Sequence, residues 1–323
     1  MQALHTARDF SRKVFMMNDS VLTPESILAR HVGDGAVVAL DSLGVIEVGG
    51  DDAQEFLQGQ FSNDIDAVAA VDDAVAHCQL NAYCNPKGRA LAVVRVLRLA
   101  ERWWLLAPRA QVDSLMKRLR MFVLRAKVSI DAPALARWGV IGDGDGVGAA
   151  SRADAVVRAS VAGIIPRQLI IGDAQVMRSL DITPTPSDDL WRLADILSGV
   201  AQVYPATAEQ FIPQFINLER VGGVSFSKGC YPGQEIIARL RHRGRVKQRM
   251  LAARAVGVDA LAPGDALFDG DGKTVGTVVD AVNTGAREFI FNATAPSPLA
   301  DTTLSLGADA TVTRIALPSD AKE

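Results

Sequence analysis

Up to Leu240, short apolar runs that read as strands alternate with a few stretches of helical period; beyond Val246 only strand signals remain. Thr23 followed by Pro24 predicts a short helix over Pro24–Ala29. Ala36–Leu40 and Gly44–Val48 predict two strands broken at Asp41-Ser42. After Gly49-Gly50, Asp52 and Glu55 resemble an acidic capping box ahead of Phe56 and Leu57, and Gly59 ends that helix. Cys78–Leu80, Ala90–Leu99 and Arg102–Ala107 predict an antiparallel run, with a turn through Asn85-Pro86-Lys87-Gly88-Arg89. Val112, Leu115, Met116 and Leu119 share one face of a helix over residues 109–120, its other face being basic, and Val128–Ile130 predicts a further strand.

A second unit is expected from Trp138 onward. Thr183-Pro184-Thr185-Pro186-Ser187-Asp188 is a stiff loop ending in an N-cap for a helix carrying Leu190, Leu193 and Leu197 on one stripe, closed by Gly199. Near Phe226 the pattern predicts a strand ending at Ser227, a glycine turn, and a helix from Pro232 with Ile236, Ile237 and Leu240 inward. Arg241, Arg243, Arg245, Lys247 and Arg249 then recur at period two, as on one face of a strand. Val275–Val282, Glu288–Ala293, Thr302–Leu306 and Ala310–Leu317, with turns between them, predict a small β-barrel. The expected fold is α+β: two antiparallel-sheet-plus-helix subdomains (36–135 and 136–245) after a lead-in (1–35), and a C-terminal barrel over 246–323.

Composition narrows the classes. A chain of 323 residues, 49% hydrophobic, can bury a full core, and a net charge of −3 excludes a nucleic-acid polycation or an acidic disordered chain. Cys78, Cys84 and Cys230 cannot all pair and lack metal-site spacing, so a reduced compartment and no metal site are expected. Without a signal-peptide pattern or a long apolar run, the expectation is a cytoplasmic protein with no membrane partner.

Four places carry candidate chemistry. In Lys228-Gly229-Cys230-Tyr231-Pro232-Gly233-Gln234-Glu235, a thiol near a helix start and a lysine is expected to favour its thiolate. The alternative is a small buried hydrophobe in a tight turn. The amide-rich stretch from Gln58 to Asp64, including Gln60, is either a helix cap and turn or a loop that binds a polar heterocycle. Trp191 is either packing at a domain seam or a stacking wall for a flat ligand. From Phe226 to Met250, seven Lys or Arg face one Glu, net +6; this is either a protected sheet edge or an anion site. Gly144-x-Gly146-x-x-Ala149 follows a strand as a dinucleotide loop would, but Asp143 and Asp145 would repel a pyrophosphate, and a hairpin connection is expected.

The Lys228–Glu235 stretch resembles the K-G-C-Y-x-G-Q-E signature of the YgfZ-type folate-binding proteins, relatives of the glycine-cleavage aminomethyltransferase. Gln210–Gln214, Asn217-Leu218, Gly222–Phe226, Phe56–Gln60 with Ser62 and Asp64, and the Asn85–Arg89 turn match as well. The resemblance implies an aminomethyltransferase-like body, a cavity for tetrahydrofolate, and a role in maintaining iron–sulfur enzymes, one of which modifies tRNA. The local chemistry of that loop makes Cys230 the expected reactive thiol, with Lys228 beside it. The resemblance also implies a ligand-binding set of Trp191, Gln60, Asp64, Asn217, Tyr231, Gln234, Glu235, Arg239 and Arg241.

Two positions depart from the pattern. The strand Ala90–Leu99, where aminomethyltransferases carry a catalytic aspartate, has Ala92 and Val93 and no acid, which disfavours aminomethyl transfer. Leu43 stands near the place of a folate-contacting tryptophan. The expected partners are folate and, transiently, iron–sulfur proteins or their assembly factors. The basic stretch lacks interleaved aromatics, which disfavours direct RNA binding. Folate-dependent one-carbon transfer is the alternative function.

Overall fold

The computed structural model describes residues 22–33, 35–70, 76–142, 156–180, 182–298, 303–307 and 309–321. The Gly144–Ala149 motif and most of the lead-in lie outside these. The chain begins with α1 (Pro24–Val32), whose Thr23 and Ser26 form a reciprocal capping box, then β1 (Gly35–Ala39), β2 (Leu43–Gly49) and α2 (Ala53–Gln58). Next come β3 (Ala76–His77), β4 (Gln79–Cys84), β5 (Ala90–Leu99), β6 (Arg102–Pro108), α3 (Val112–Arg120) and β7 (Ser129–Asp131). The middle of the chain forms β8 (Leu135–Gly142), β9 (Val156–Val161), β10 (Arg167–Asp173), α4 (Ala174–Arg178), α5 (Asp189–Leu197) and α6 (Gln234–Arg243). The last part is β11 (Gln248–Val256), β12 (Ala266–Asp269), β13 (Thr274–Gly285), β14 (Glu288–Pro296), β15 (Leu304–Ser305) and β16 (Thr311–Ile315).

Three sheets result, and the fold is α+β. One is antiparallel in the order β4-β5-β6-β2-β7 and packs α2 and α3 over Ile46, Val94, Val96 and Leu105. A second has the order β1-β8-β10-β9-β3, antiparallel except for the short β3–β9 pair. The C-terminal sheet, β15-β12-β13-β14-β11-β16, curls until its edge strands approach one another, a nearly closed barrel around Phe289, Phe291 and Val278.

α5 lies where these layers meet. Leu193, Ala194, Ile196 and Leu197 join one apolar cluster with residues of both five-stranded sheets, α1 and the barrel. Its polar side chains reach both sheets and the barrel as well. Asp195 accepts from Arg95 of β5 at 2.7 Å and from Arg167 of β10 at 2.6 Å. Arg192 pairs with Asp280 of β13, which also accepts from the Tyr204 hydroxyl at 2.7 Å.

Some expectations need correction. β1, counted with the first sheet on sequence, pairs with β8 in the second; the turn at Asp41-Ser42 lets β1 and β2 diverge. Asp52 precedes α2, yet its carboxylate accepts from the Lys127 amide at 2.7 Å instead of capping the helix. Residues 224–232 form no strand, and α6 starts at Gln234 after Gly233, four residues beyond Cys230. The period-two cations do not share a strand face: Arg241 and Arg243 are the last residues of α6, and strand pairing begins only at Gln248. Arg, Leu and His all tolerate a helix, so α6 continues until Gly244.

Candidate functional site

The signature loop is fixed at both ends. On one side Lys228 is buried, and its ammonium donates to the carbonyls of Gln58 (2.7 Å), Phe61 (2.8 Å) and Asn63 (2.7 Å). These are three strong donors matched to three acceptors. Burial lowers the Lys228 ammonium to about 8 against the pull of Asp64 and Asp66. The carbonyl cage acts the other way, because a neutral amine has only two hydrogens for three acceptors. Neighbouring bonds lace the same seam: Ser225 donates its amide to the Ser62 carbonyl at 2.9 Å, and Ser62 donates its hydroxyl to the Gly223 carbonyl at 2.7 Å.

On the other side, Gly233 is left-handed (φ 81°) and sits so close to the Asn85–Arg89 turn that a Cβ would lie 2.6 Å from the Asn85 carbonyl oxygen and the Gly88 Cα. That turn is held by the Asn85 side-chain oxygen, which accepts from the amides of Lys87 (2.9 Å) and Arg89 (3.0 Å). Two motif glycines far apart in sequence thus let the start of α6 rest directly on a turn.

Cys230 stands between these anchors and is exposed. The other two thiols are not comparable. Burial pushes Cys84 up to about 12, and pushes Cys78 up to about 12 against an opposing pull from Arg95. Lys228, expected as the activator of Cys230, spends its hydrogens on the 58–63 loop, and the helix start lies beyond Gly233. What distinguishes Cys230 is therefore access. Tyr231 next to it is buried, its ring 5.4 Å from the Lys228 nitrogen.

Directly after the loop, α6 and the segment leading to β11 border a cleft of about 520 Å3. Arg220, Arg241, Arg245 and Arg249 line it together with Phe226. The Arg241 guanidinium stacks 3.9 Å from the Phe226 ring centroid. Glu219 and Gln214 also line the cleft; Arg249 pairs with one Glu219 oxygen and donates to the Gln214 carbonyl at 2.9 Å. The second Glu219 oxygen and the Gln214 side-chain oxygen are buried without a hydrogen-bond donor. Buried acceptors of this kind call for a partner. Asn217, left-handed at φ 54°, lies behind the cleft, donating to the Met250 carbonyl at 2.7 Å and accepting from Arg249 at 3.5 Å.

The remaining residues expected at a ligand fall elsewhere. Trp191 is 2% exposed; its ring packs on Gly139 and lies 5.0 Å from the Arg167 and 5.9 Å from the Arg95 guanidinium carbon. Asp64 accepts from Gln58 at 2.8 Å inside the loop that cages Lys228, and Gln60, in the same loop, has a buried, unpartnered side-chain oxygen. Glu235 and Arg239 pair with each other at 3.1 Å on the exposed face of α6, and Gln234 is its first residue. Arg249, from the basic stretch expected as an anion site, is in the cleft, as are Glu219 and Gln214, which sequence reasoning did not single out as ligand residues; Glu219, ahead of Gly222-Gly223, was the available signal.

A reduced folate has a flat ring with a hydrogen-bond-donating edge and a carboxylate tail. The cleft offers a stacked aromatic–guanidinium pair and further arginines, so its residues fit the ring face and the carboxylate tail of such a molecule. On β5, Ala92 and Val93 are buried in apolar clusters where an aminomethyltransferase would carry its acid.

No protein-family model matches the chain. It is 34% identical over 277 residues to the tRNA-modifying protein YgfZ of Vibrio vulnificus (strain CMCP6), covering 76% of this chain and 83% of that protein. It is 28% identical to the YgfZ protein of Colwellia psychrerythraea, over 66% of this chain and 70% of that one. Among solved structures, the glycine cleavage system aminomethyltransferase T of Bartonella henselae shares the fold with a TM-score of 0.65 at 12% identity, over 91% of this chain and 88% of that one. The shared fold, the pinned cysteine loop and the extent of the sequence match converge: the chain belongs to the YgfZ family of tRNA-modifying proteins.

Proposed function

We propose that this protein is a tetrahydrofolate-binding accessory factor that supports iron–sulfur enzymes, among them enzymes that modify tRNA, with Cys230 as its reacting group. The observation that carries this reading is the pairing, on one continuous segment from Phe226 to Arg249, of the exposed thiol with a cleft whose chemistry suits a reduced folate. Arg241 and Phe226 would cover the face of the ring, and Arg245 with Arg220 would hold the tail. Bound there, the folate supplies a one-carbon carrier and an electron-rich ring.

The thiol is a single soft ligand. One thiolate cannot hold a cluster alone, so Cys230 would hold iron or sulfur only in passing, together with a partner protein or a small thiol. Its loop keeps it accessible: a glycine beside it leaves the surrounding space open, since a Cβ on Gly229 would meet nothing within 4 Å. Aminomethyl transfer is the weaker reading, because β5 has no carboxylate to take the amine's proton.

In cells lacking their own copy, a folded Cys230→Ser variant is expected to leave iron–sulfur-dependent tRNA modification as low as an empty vector does. Modification restored to the wild-type level by that variant would remove the cysteine from the mechanism.

A further inference from the structure

The turn that follows α3 is built differently from the rest of the surface. Among the described residues, four large apolar side chains are exposed, and three of them lie within it: Met121 (58%), Phe122 (46%) and Leu124 (87%). Leu124 has φ 47°, a left-handed conformation that glycine or asparagine would adopt with less strain. A leucine here is unfavourable both for its backbone and for its contact with water. The turn is nevertheless well tied. Phe122 donates its amide to the Leu119 carbonyl at 3.0 Å and Ala126 to the Val123 carbonyl at 2.8 Å, while Lys127 pairs with Asp51 at 3.0 Å.

Cations flank these side chains along the sequence. Lys117, Arg118, Arg120, Arg125 and Lys127 occur between Ser114 and Ile130 with no carboxylate among them. Arg120 donates to the Ile130 carbonyl, within 3.9 Å of Asp131, and Arg118 interacts with the Tyr83 hydroxyl. Lys117 and Arg125 extend into solvent.

We infer that this turn is a docking knob for a protein partner that offers an apolar pocket bordered by Asp and Glu. Charge complementarity sets the sign of the rim. Met, Phe and Arg are the residue types enriched at protein interfaces, and a knob of fixed shape suits a pocket of fixed shape. RNA is the poorer fit, because Leu124 and Met121 have no flat face on which a base could stack. A lipid surface requires no rigid geometry, and the ties just described provide it. The inference is independent of Cys230 and of folate.

The test is a photocrosslinking amino acid (p-benzoylphenylalanine) at position 124 of the full-length chain, irradiated in cells, with the adduct peptides mapped by mass spectrometry. The expected result is one dominant protein adduct at an apolar site flanked by carboxylates, reduced about tenfold or more by adding Phe122→Ser or Arg125→Glu. The same probe at exposed Lys273 on the barrel should not yield that adduct. Adducts to RNA or lipid, to a second copy of this chain or to a surface without carboxylates would overturn the inference, as would the lack of any adduct. Purified protein should not float with phosphatidylglycerol vesicles; flotation abolished by Leu124→Asp would also overturn it.

Discussion

Cys230, Cys84 and Cys78 carry the same thiol in three environments, and their reactivity should separate accordingly. In the native protein, iodoacetamide should label Cys230 first, with Cys84 reacting only on unfolding and half-buried Cys78 far more slowly than Cys230, because desolvation keeps both of those thiols protonated. Peptide mapping after a short exposure checks this. Lys228 calls for a stability measurement. Lys228→Met leaves three buried-side carbonyls without their donor and should cost about 3 kcal/mol in urea unfolding. If Lys228 merely activated the thiol, stability would stay unchanged and only labelling of Cys230 would slow. The lysine stands out in the sequence through its signature, but its partners at 58–63 do not, because nothing local encodes a bond to carbonyls some 165 residues away.

The elements show where pattern reading works and where it stops. α1, α3, α5 and the strands of the first sheet follow from periodicity and turn residues, since each carries its own apolar stripe or alternation whatever it packs against. The stretch from Arg241 to Arg249 defeats such reading: alternation of cations with other residues looks like a strand, yet the first part extends α6 and only the last joins a sheet. The cleft arises from that bend, and so Arg241 was anticipated while Glu219 and Gln214 were not. Contact between Gly233 and the Asn85–Arg89 turn is likewise invisible to local pattern, although both pieces match the family signature. Gly233→Ala should lower stability by about 2 kcal/mol or more, through both φ and the clash with Asn85 and Gly88, read as a fall in the thermal midpoint.

At the scale of the molecule, α5 ties two sheets and a barrel together, and Asp195 is its central charge. Burial works to raise the Asp195 carboxyl, but Arg95 and Arg167 outweigh it and hold it below the usual 3.8. A folded-state value below the unfolded one means this stabilisation is complete above about pH 4 and is lost as pH falls through the lower, folded value. Asp195→Asn leaves two buried arginines uncompensated and should cost about 3–5 kcal/mol at pH 7, with a shallower further loss in acid. Urea midpoints of both proteins at pH 7 and pH 3 check this. Trp191 belongs to the same junction, which is why its ring is enclosed; the ligand is proposed instead for the cleft beside α6. No helix among the described residues is long and apolar enough to cross a membrane.

That assignment is tested most directly by calorimetric titration of tetrahydrofolate into the wild-type protein and into an Arg241→Glu, Arg245→Glu variant whose thermal unfolding is unchanged. Saturable one-to-one binding, weakened about tenfold or more in the variant, is the predicted result. Absence of binding to the wild type, or equal affinity in both proteins, would contradict it.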